Sequence, residues 1–239
     1  MTGPTTGAVR DGRSVLVTGG TGGLGTAVTE AFVRAGWRTV VPYRSKPPAG
    51  VVAVEADLAE PASVAEVAAV AAAVPDAPLR AVVNLVGGFA MGGRVHETPV
   101  DQFEDQFRTN LRPTYLVCAA TIPHLIAAGG GSVVCLSSRA AVSPFSGAAG
   151  YITSKAAVLA FVDALVAEYE HDGVRVNAVL PGVIDTPANR VSMPNADRAG
   201  WVAPADIAKT ILFLAGDESS PVNGARIPVH HRGPERHEP

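Results

Sequence analysis

Cysteine is scarce: only Cys118 and Cys135 occur among 239 residues, both in apolar runs and without CxxC spacing. That excludes a disulfide framework or a cysteine-built zinc site, and suits buried thiols in a reducing, cytoplasmic compartment. Charge of one sign is also missing. The net charge is -3 and no basic stripe is present, which argues against nucleic acid as a partner. No uninterrupted apolar run reaches the roughly 18 residues of a membrane span. Residues 1–13 lack the basic and apolar regions of a signal peptide. The histidines show no metal-ligand spacing, so no metal is expected. Aromatics make up 5% of the chain, whereas alanine, valine and glycine abound and 47% of residues are apolar. Such a composition rules out disorder and supports a large core.

Short apolar runs alternate with helix-period segments along the whole chain. Strands are expected at 14–18, 39–41, 51–54, 80–86, 132–136, 174–180 and 225–229. Helices are expected at 23–35, 63–74, 101–128, 151–170 and 205–215. Pro42 is read as ending the second strand, and Pro113 as disturbing the long helix. Most strands are apolar on both faces, which implies a parallel sheet covered by helices on both sides. The reading is one doubly wound α/β domain at 14–229, with a mostly parallel seven-stranded sheet and short tails at 1–13 and 230–239. Sheets of this kind bind ligands beyond the carboxyl ends of their strands.

The first such end carries Thr18-Gly19-Gly20-Thr21-Gly22-Gly23-Leu24-Gly25. Glycine lets the backbone turn tightly and approach a pyrophosphate, and the helix that follows aims its free N–H groups at the anion. The spacing, T-G-x-x-x-G-x-G, resembles the short-chain dehydrogenase/reductase family and its Rossmann fold. Further marks follow in that family's order: Asp57-Leu58 after the third strand, Asn84-Leu85-Val86-Gly87 after the fourth, and Tyr151-Ile152-Thr153-Ser154-Lys155. Together they span nearly the whole chain. The resemblance implies cofactor contacts from Gly19, Gly23, Leu24, Gly25, Asp57, Leu58, Asn84 and Gly87. It adds Pro181, Gly182, Ile184 and Thr186, where a Pro-Gly segment follows the sixth strand.

Tyr151 and Lys155 are four apart on one helix and share a face. A neighbouring ammonium lowers the pKa of a phenol from about 10, which makes it a proton donor and acceptor near neutrality. The resemblance also assigns Lys155 to the nicotinamide ribose. Ser138 ends the fifth strand, where a hydroxyl can orient a substrate oxygen. Its neighbour Ser137 is the alternative, and the family's pattern favours Ser138. Asn110 matches the family's fourth catalytic residue, which holds a water. Pro113 has no N–H, which frees the Thr109 carbonyl to help seat that water.

The position where a carboxylate would bind the adenosine ribose falls at Tyr43, followed by Arg44, Ser45 and Lys46. A guanidinium suits a 2′-phosphate, so NADP(H) is expected over NAD(H), which stays possible. The stretch from Tyr43 to Val51 is too short for a helix. With the unusual segment 185–197 and Gly87-Gly88-Phe89-Ala90-Met91-Gly92-Gly93, it resembles the dihydropteridine-reductase branch of the family. That branch lacks the catalytic serine and carries an acid favouring NADH, unlike this chain. Phe89, Met91, Phe145, Met193 and Trp201 are candidate substrate contacts, and the loop 187–201 a candidate lid over a small or flat substrate. The implied activity is hydride transfer between a nicotinamide and the carbonyl or hydroxyl group of a small molecule. C=N reduction of a pterin or imine is one alternative, and a non-catalytic dinucleotide sensor the other. The two long helices are apolar over more than one face, and in this family they pair between subunits. A homodimer or homotetramer is therefore expected.

Overall fold

The computed structural model describes residues 12–230, so the expected tails lie almost wholly outside the described residues. Seven strands form one sheet: β1 (Ser14–Thr18), β2 (Arg38–Tyr43), β3 (Val52–Glu55), β4 (Leu79–Asn84), β5 (Gly131–Leu136), β6 (Val174–Pro181) and β7 (Arg226–Val229). Their order is β3-β2-β1-β4-β5-β6-β7, and every pairing is parallel. The helices are α1 (Gly23–Arg34), α2 (Pro61–Ala72), α3 (Val100–Asn110), α4 (Arg112–Ala127), α5 (Ala149–Tyr169), α6 (Pro187–Ser192) and α7 (Pro204–Ala215).

Successive strand side chains point to opposite faces, and each face has its own core. Leu16, Val82, Val133 and Cys135 join Val64 and Val67 of α2, Val117 and Leu125 of α4, and Val158 and Val162 of α5. Val15, Val17, Val83 and Val134 join Val28 and Phe32 of α1 with Ile207 and Ile211 of α7. Two buried faces explain why these strands read as continuous apolar runs rather than alternating ones. From β1 the chain runs outward through β2 to β3, then crosses back to β4 on the other side. This reversal opens a crevice between the carboxyl ends of β1 and β4.

Four expectations need correction. β2 continues through Pro42 to Tyr43, because pairing with β1 ends at Leu16 opposite Val40 and no ladder donor is missed at the proline. The helix expected at 101–128 is two helices joined at Leu111, with Pro113 in the first turn of α4, where its missing N–H costs nothing. Segment 187–201 is not a plain loop: Thr186 caps α6 and Pro187 begins it. Finally, the segment Ala149–Asp172 is long and apolar enough to cross a membrane by length and composition. The sequence reading missed this because Thr153, Ser154, Lys155 and Asp163 interrupt the run. Its inner face is built into the core, so here it serves as the central covering helix.

Candidate active site

The glycine turn fits a dinucleotide phosphate cradle. Gly19 has φ +68°, which favours glycine, and a side chain there would lie 3.1 Å from the Val86 nitrogen. A Cβ on Gly25 would sit 1.9 Å from the Gly19 carbonyl oxygen, so α1 can rest on the turn only with glycine there. On Gly23 it would meet the Thr186 methyl at 2.9 Å. Gly22 at the N-cap supplies no side-chain oxygen, and the first N–H groups of α1 keep their capacity for an anion. Leu24 packs its side chain into the core beneath.

Arg44 and Ser45 are exposed beyond β2. The Arg44 guanidinium lies 3.3 Å from Asp57, whose carboxylate also accepts the Ala59 N–H at 3.0 Å. Leu58 is buried and turns its side chain to the core, leaving the cleft only its backbone. Asn84 turns its side chain inward from the end of β4. Its side chain is 2% exposed and donates to Cys118 Sγ at 3.3 Å and Cys135 Sγ at 3.9 Å, so it ties α4 to the sheet inside the core.

Four candidate catalytic residues gather at the ends of β4 and β5. Ser138 is extended and lies beside the Tyr151 phenol, while its Oγ accepts the Ala140 N–H. Ser137 is buried and donates its hydroxyl to the Lys155 carbonyl at 2.8 Å, whereas Ser138 neighbours Tyr151. Lys155 donates from Nζ to the Leu136 carbonyl at 3.1 Å. Asn110, fully buried at the end of α3, accepts the Gly88 N–H at 2.9 Å and donates to Ser154 Oγ at 3.1 Å. A Cβ on Gly87 would lie 2.6 Å from Asn110 Oδ1 and 2.9 Å from Lys155 Nζ, so Asn110 and Lys155 meet at that glycine.

Sequence reasoning missed Ser154, Ser137 and the Leu136 carbonyl as supports. Ser154 was detectable: it falls three residues after Tyr151, on the same helical face. The electrostatics also differ from expectation. Burial pushes the Tyr151 phenol above its ordinary value, opposed by the hydrogen bond to Ser138. Burial pulls Lys155 down from 10.5 to about 8. The ammonium is directed to the Leu136 carbonyl, and burial rather than Lys155 sets the direction of the phenol's shift.

Pro181 ends β6, and Gly182 donates its N–H to the Val229 carbonyl at 3.1 Å. The Ile184 carbonyl accepts from Asn189 Nδ2 at 2.8 Å, and Thr186 Oγ1 accepts the Asn189 N–H at 3.2 Å. Thr186 thus closes the cleft against Gly23. At the mouth, the Phe89 ring meets Tyr151 edge-on at 4.9 Å and Phe145 at 6.4 Å, and Met91 is exposed nearby beside Gly147. Met193 is half-buried just beyond α6. Trp201 is buried beneath the Arg198 guanidinium, so its ring is a packing group rather than an open wall.

A glycine cradle at the switch point, facing a tyrosine, serine, lysine and asparagine, defines a dinucleotide-dependent oxidoreductase of the doubly wound class. The family described as short chain dehydrogenase matches residues 13–197, and the chain belongs to it. It is 31% identical to 2-(R)-hydroxypropyl-CoM dehydrogenase of Xanthobacter autotrophicus, over 90% of this chain and 96% of that one. It is 30% identical to 2,5-dichloro-2,5-cyclohexadiene-1,4-diol dehydrogenase of Sphingobium indicum, over 91% of this chain and 94% of that one. A solved short chain dehydrogenase/reductase family protein superposes with TM-score 0.83 at 32% identity, covering 92% of this chain and 97% of that one. The protein is an NAD(P)(H)-dependent oxidoreductase acting on hydroxyl or carbonyl groups.

Proposed function

We propose that the protein is an NADP(H)-preferring carbonyl reductase or alcohol dehydrogenase of a small substrate. Tyr151 exchanges the proton, Ser138 orients the substrate oxygen, and Lys155 and Asn110 support the tyrosine. The observation that carries this reading is Ser138 set beside the Tyr151 phenol, with Lys155 Nζ and Asn110 Oδ1 converging at Gly87. The glycine turn, Arg44, Asp57 and Thr186 would hold the dinucleotide, which when bound supplies or accepts hydride.

Burial keeps the Tyr151 phenol protonated at neutral pH, the form that donates to a carbonyl oxygen as charge develops there. Ser138 donates to the same oxygen. In the oxidative direction Tyr151 must first lose its proton, so alcohol oxidation rises with pH while reduction stays near its plateau. Asn110 lies where α3 breaks, and Pro113 leaves the Thr109 carbonyl without its usual helical donor, a place for a water that relays protons. Arg44 is the group that supports NADP(H) over NAD(H), since a 2′-phosphate offers it a better partner than exposed Asp57.

C=N reduction is the weaker reading: the relatives named above are dehydrogenases, and none of them is a dihydropteridine reductase. Ser138 beside Tyr151 makes the carbonyl reading the stronger one. A sensor without turnover would leave this pair without a task. We also place the protein as a homodimer or homotetramer in the cytoplasm. Tyr115 of α4, 55% exposed, pairs with Phe161 of α5 and offers an apolar face to a second copy. Cys118 and Cys135 are free thiols, as a reducing compartment requires.

The test follows NADPH absorbance over a panel of ketones, aldehydes, imines and quinonoid pterins. Tyr151→Phe should lower kcat on the best carbonyl by about two to four orders of magnitude without changing the melting temperature. Turnover that survives this substitution sinks the reading.

A further inference from the structure

Beside the Tyr151 cleft, two loops enclose a groove of about 620 Å³ that includes Arg94, His96, Phe145, Gly147, Ile152 and Thr153 in its walls. The loops are fastened together by the Gly92 N–H, which donates to the Gly147 carbonyl at 2.9 Å, and by Gln102 Nε2, which donates to the Met91 carbonyl at 3.3 Å. Phe145 belongs to the groove and also to the aromatic row that ends on Tyr151. The groove wall thus lies no farther from the tyrosine ring than the two centroid separations, 4.9 and 6.4 Å, laid end to end. Phe89, Met91 and Phe145 are 58%, 54% and 47% exposed, a run of large apolar side chains in adjacent loops that marks a ligand surface.

Charge in this groove is unbalanced. The Glu97 carboxylate accepts the Arg94 backbone N–H at 2.8 Å through one oxygen, and the other faces His96 Nε2 at 3.7 Å. Glu97 is thereby engaged by backbone and imidazole. The Arg94 guanidinium forms no ion pair among the described residues. The groove thus joins the reacting tyrosine's aromatic row through Phe145 and includes in its wall a guanidinium fork, Arg94, which suits a planar oxyanion bidentately.

We propose that this groove sets the substrate class: a carbonyl or carbinol on a ring or short apolar body that carries an oxyanion group, such as a carboxylate, at its far end. Phe89 and Phe145 hold the body, and Arg94 holds the anion. The proposal rests on the carbonyl reading above and deepens it. Arg94 has no part in proton or hydride transfer, so its contribution falls on KM and not on kcat.

Matched probes test it: para-carboxybenzaldehyde against para-methylbenzaldehyde, and para-acetylbenzoate against para-methylacetophenone, with NADPH. Each acid should show a KM about tenfold or more below its neutral partner at similar kcat, with the gap narrowing as salt is added. Arg94→Ala should abolish the gap by raising KM for the acids alone, and Arg94→Lys should restore part of it. Arg94→Gln, checked by melting temperature, replaces the alanine variant if that one fails to fold. Equal KM values in the wild type, or a preference that survives Arg94→Ala, overturn the proposal while leaving the carbonyl reading in place. Loss of all turnover in the wild type would remove that reading and the proposal with it. A change of oligomeric state in Arg94→Ala with both KM values unaltered assigns the groove to a second copy and overturns the proposal.

Discussion

The two ends of the sheet contrast in how they use polar groups. At the amino end, a cavity of about 620 Å³ is walled in part by Arg13, Arg80 and Arg175. By charge it invites an anion. Yet Arg175 donates from Nη1 to the Ser219 carbonyl and hydroxyl and the Val222 carbonyl, and from Nη2 to the Leu214 and Gly216 carbonyls. Arg80 donates to the Ala128 carbonyl, and Arg13 pairs with Asp217. Arg175 and Arg13 fasten the end of α7 and the segment before β7 to the sheet, and Arg80 fastens the end of α4. At the carboxyl end, the Tyr151 phenol faces Ser138, and the glycine turn keeps its N–H groups uncapped by side chains. What separates a ligand site from a structural knot is whether its polar groups already have protein partners.

The contrast breaks most sharply if the amino end proves catalytic. Arg175→Met leaves several buried carbonyls without donors, so it should lower stability by about 2–4 kcal/mol by denaturant unfolding, with kcat and cofactor KM unchanged in the protein that remains folded. A stable variant with impaired turnover would show that the amino end is more than a fastening.

Lys155→Met should do the reverse. Below about pH 8 the fold keeps a desolvated ammonium that the unfolded chain holds with a pKa near 10.5. The unfolded state binds that proton more tightly, so wild-type stability should rise as pH climbs from about 8 towards 10.5. Removing the charge should raise stability at pH 7 by up to about 3 kcal/mol and erase that rise, while turnover is lost. A variant less stable than wild type at pH 7 would mean that the bond to the Leu136 carbonyl outweighs desolvation.

How far the sequence led follows the same divide between local and packed features. The glycine turn, the sheet strands and the spacing of Tyr151 and Lys155 were legible because each rests on neighbours a few residues away. The inward bonds of the Asn84 side chain were not legible because its partners, Cys118 and Cys135, arrive from α4 and β5. The direction of the Tyr151 shift was misread because Phe89 and the surrounding packing bury the phenol, and no local pattern reports that burial. The break at Leu111 was half legible through Pro113. The short helix α6 was legible in principle, since Thr186 and Pro187 form a cap and first-turn pair, but six residues give too little periodicity to weigh against a loop.

The smallest effect sharpens the comparison within the carboxyl end itself. Arg44 and Asp57 form an ion pair with side chains 75% and 54% exposed, so the pair adds little to stability. Arg44→Ala should therefore leave the melting temperature nearly unchanged. It should raise the KM for NADPH about tenfold, the loss of one charge-assisted phosphate contact, and leave that for NADH unaltered. The two cofactors differ only at the 2′-phosphate, so a change in both KM values would place Arg44 on the shared adenosine instead. A change in neither would mean that Asp57 keeps the guanidinium, and that cofactor choice is made elsewhere along the glycine turn.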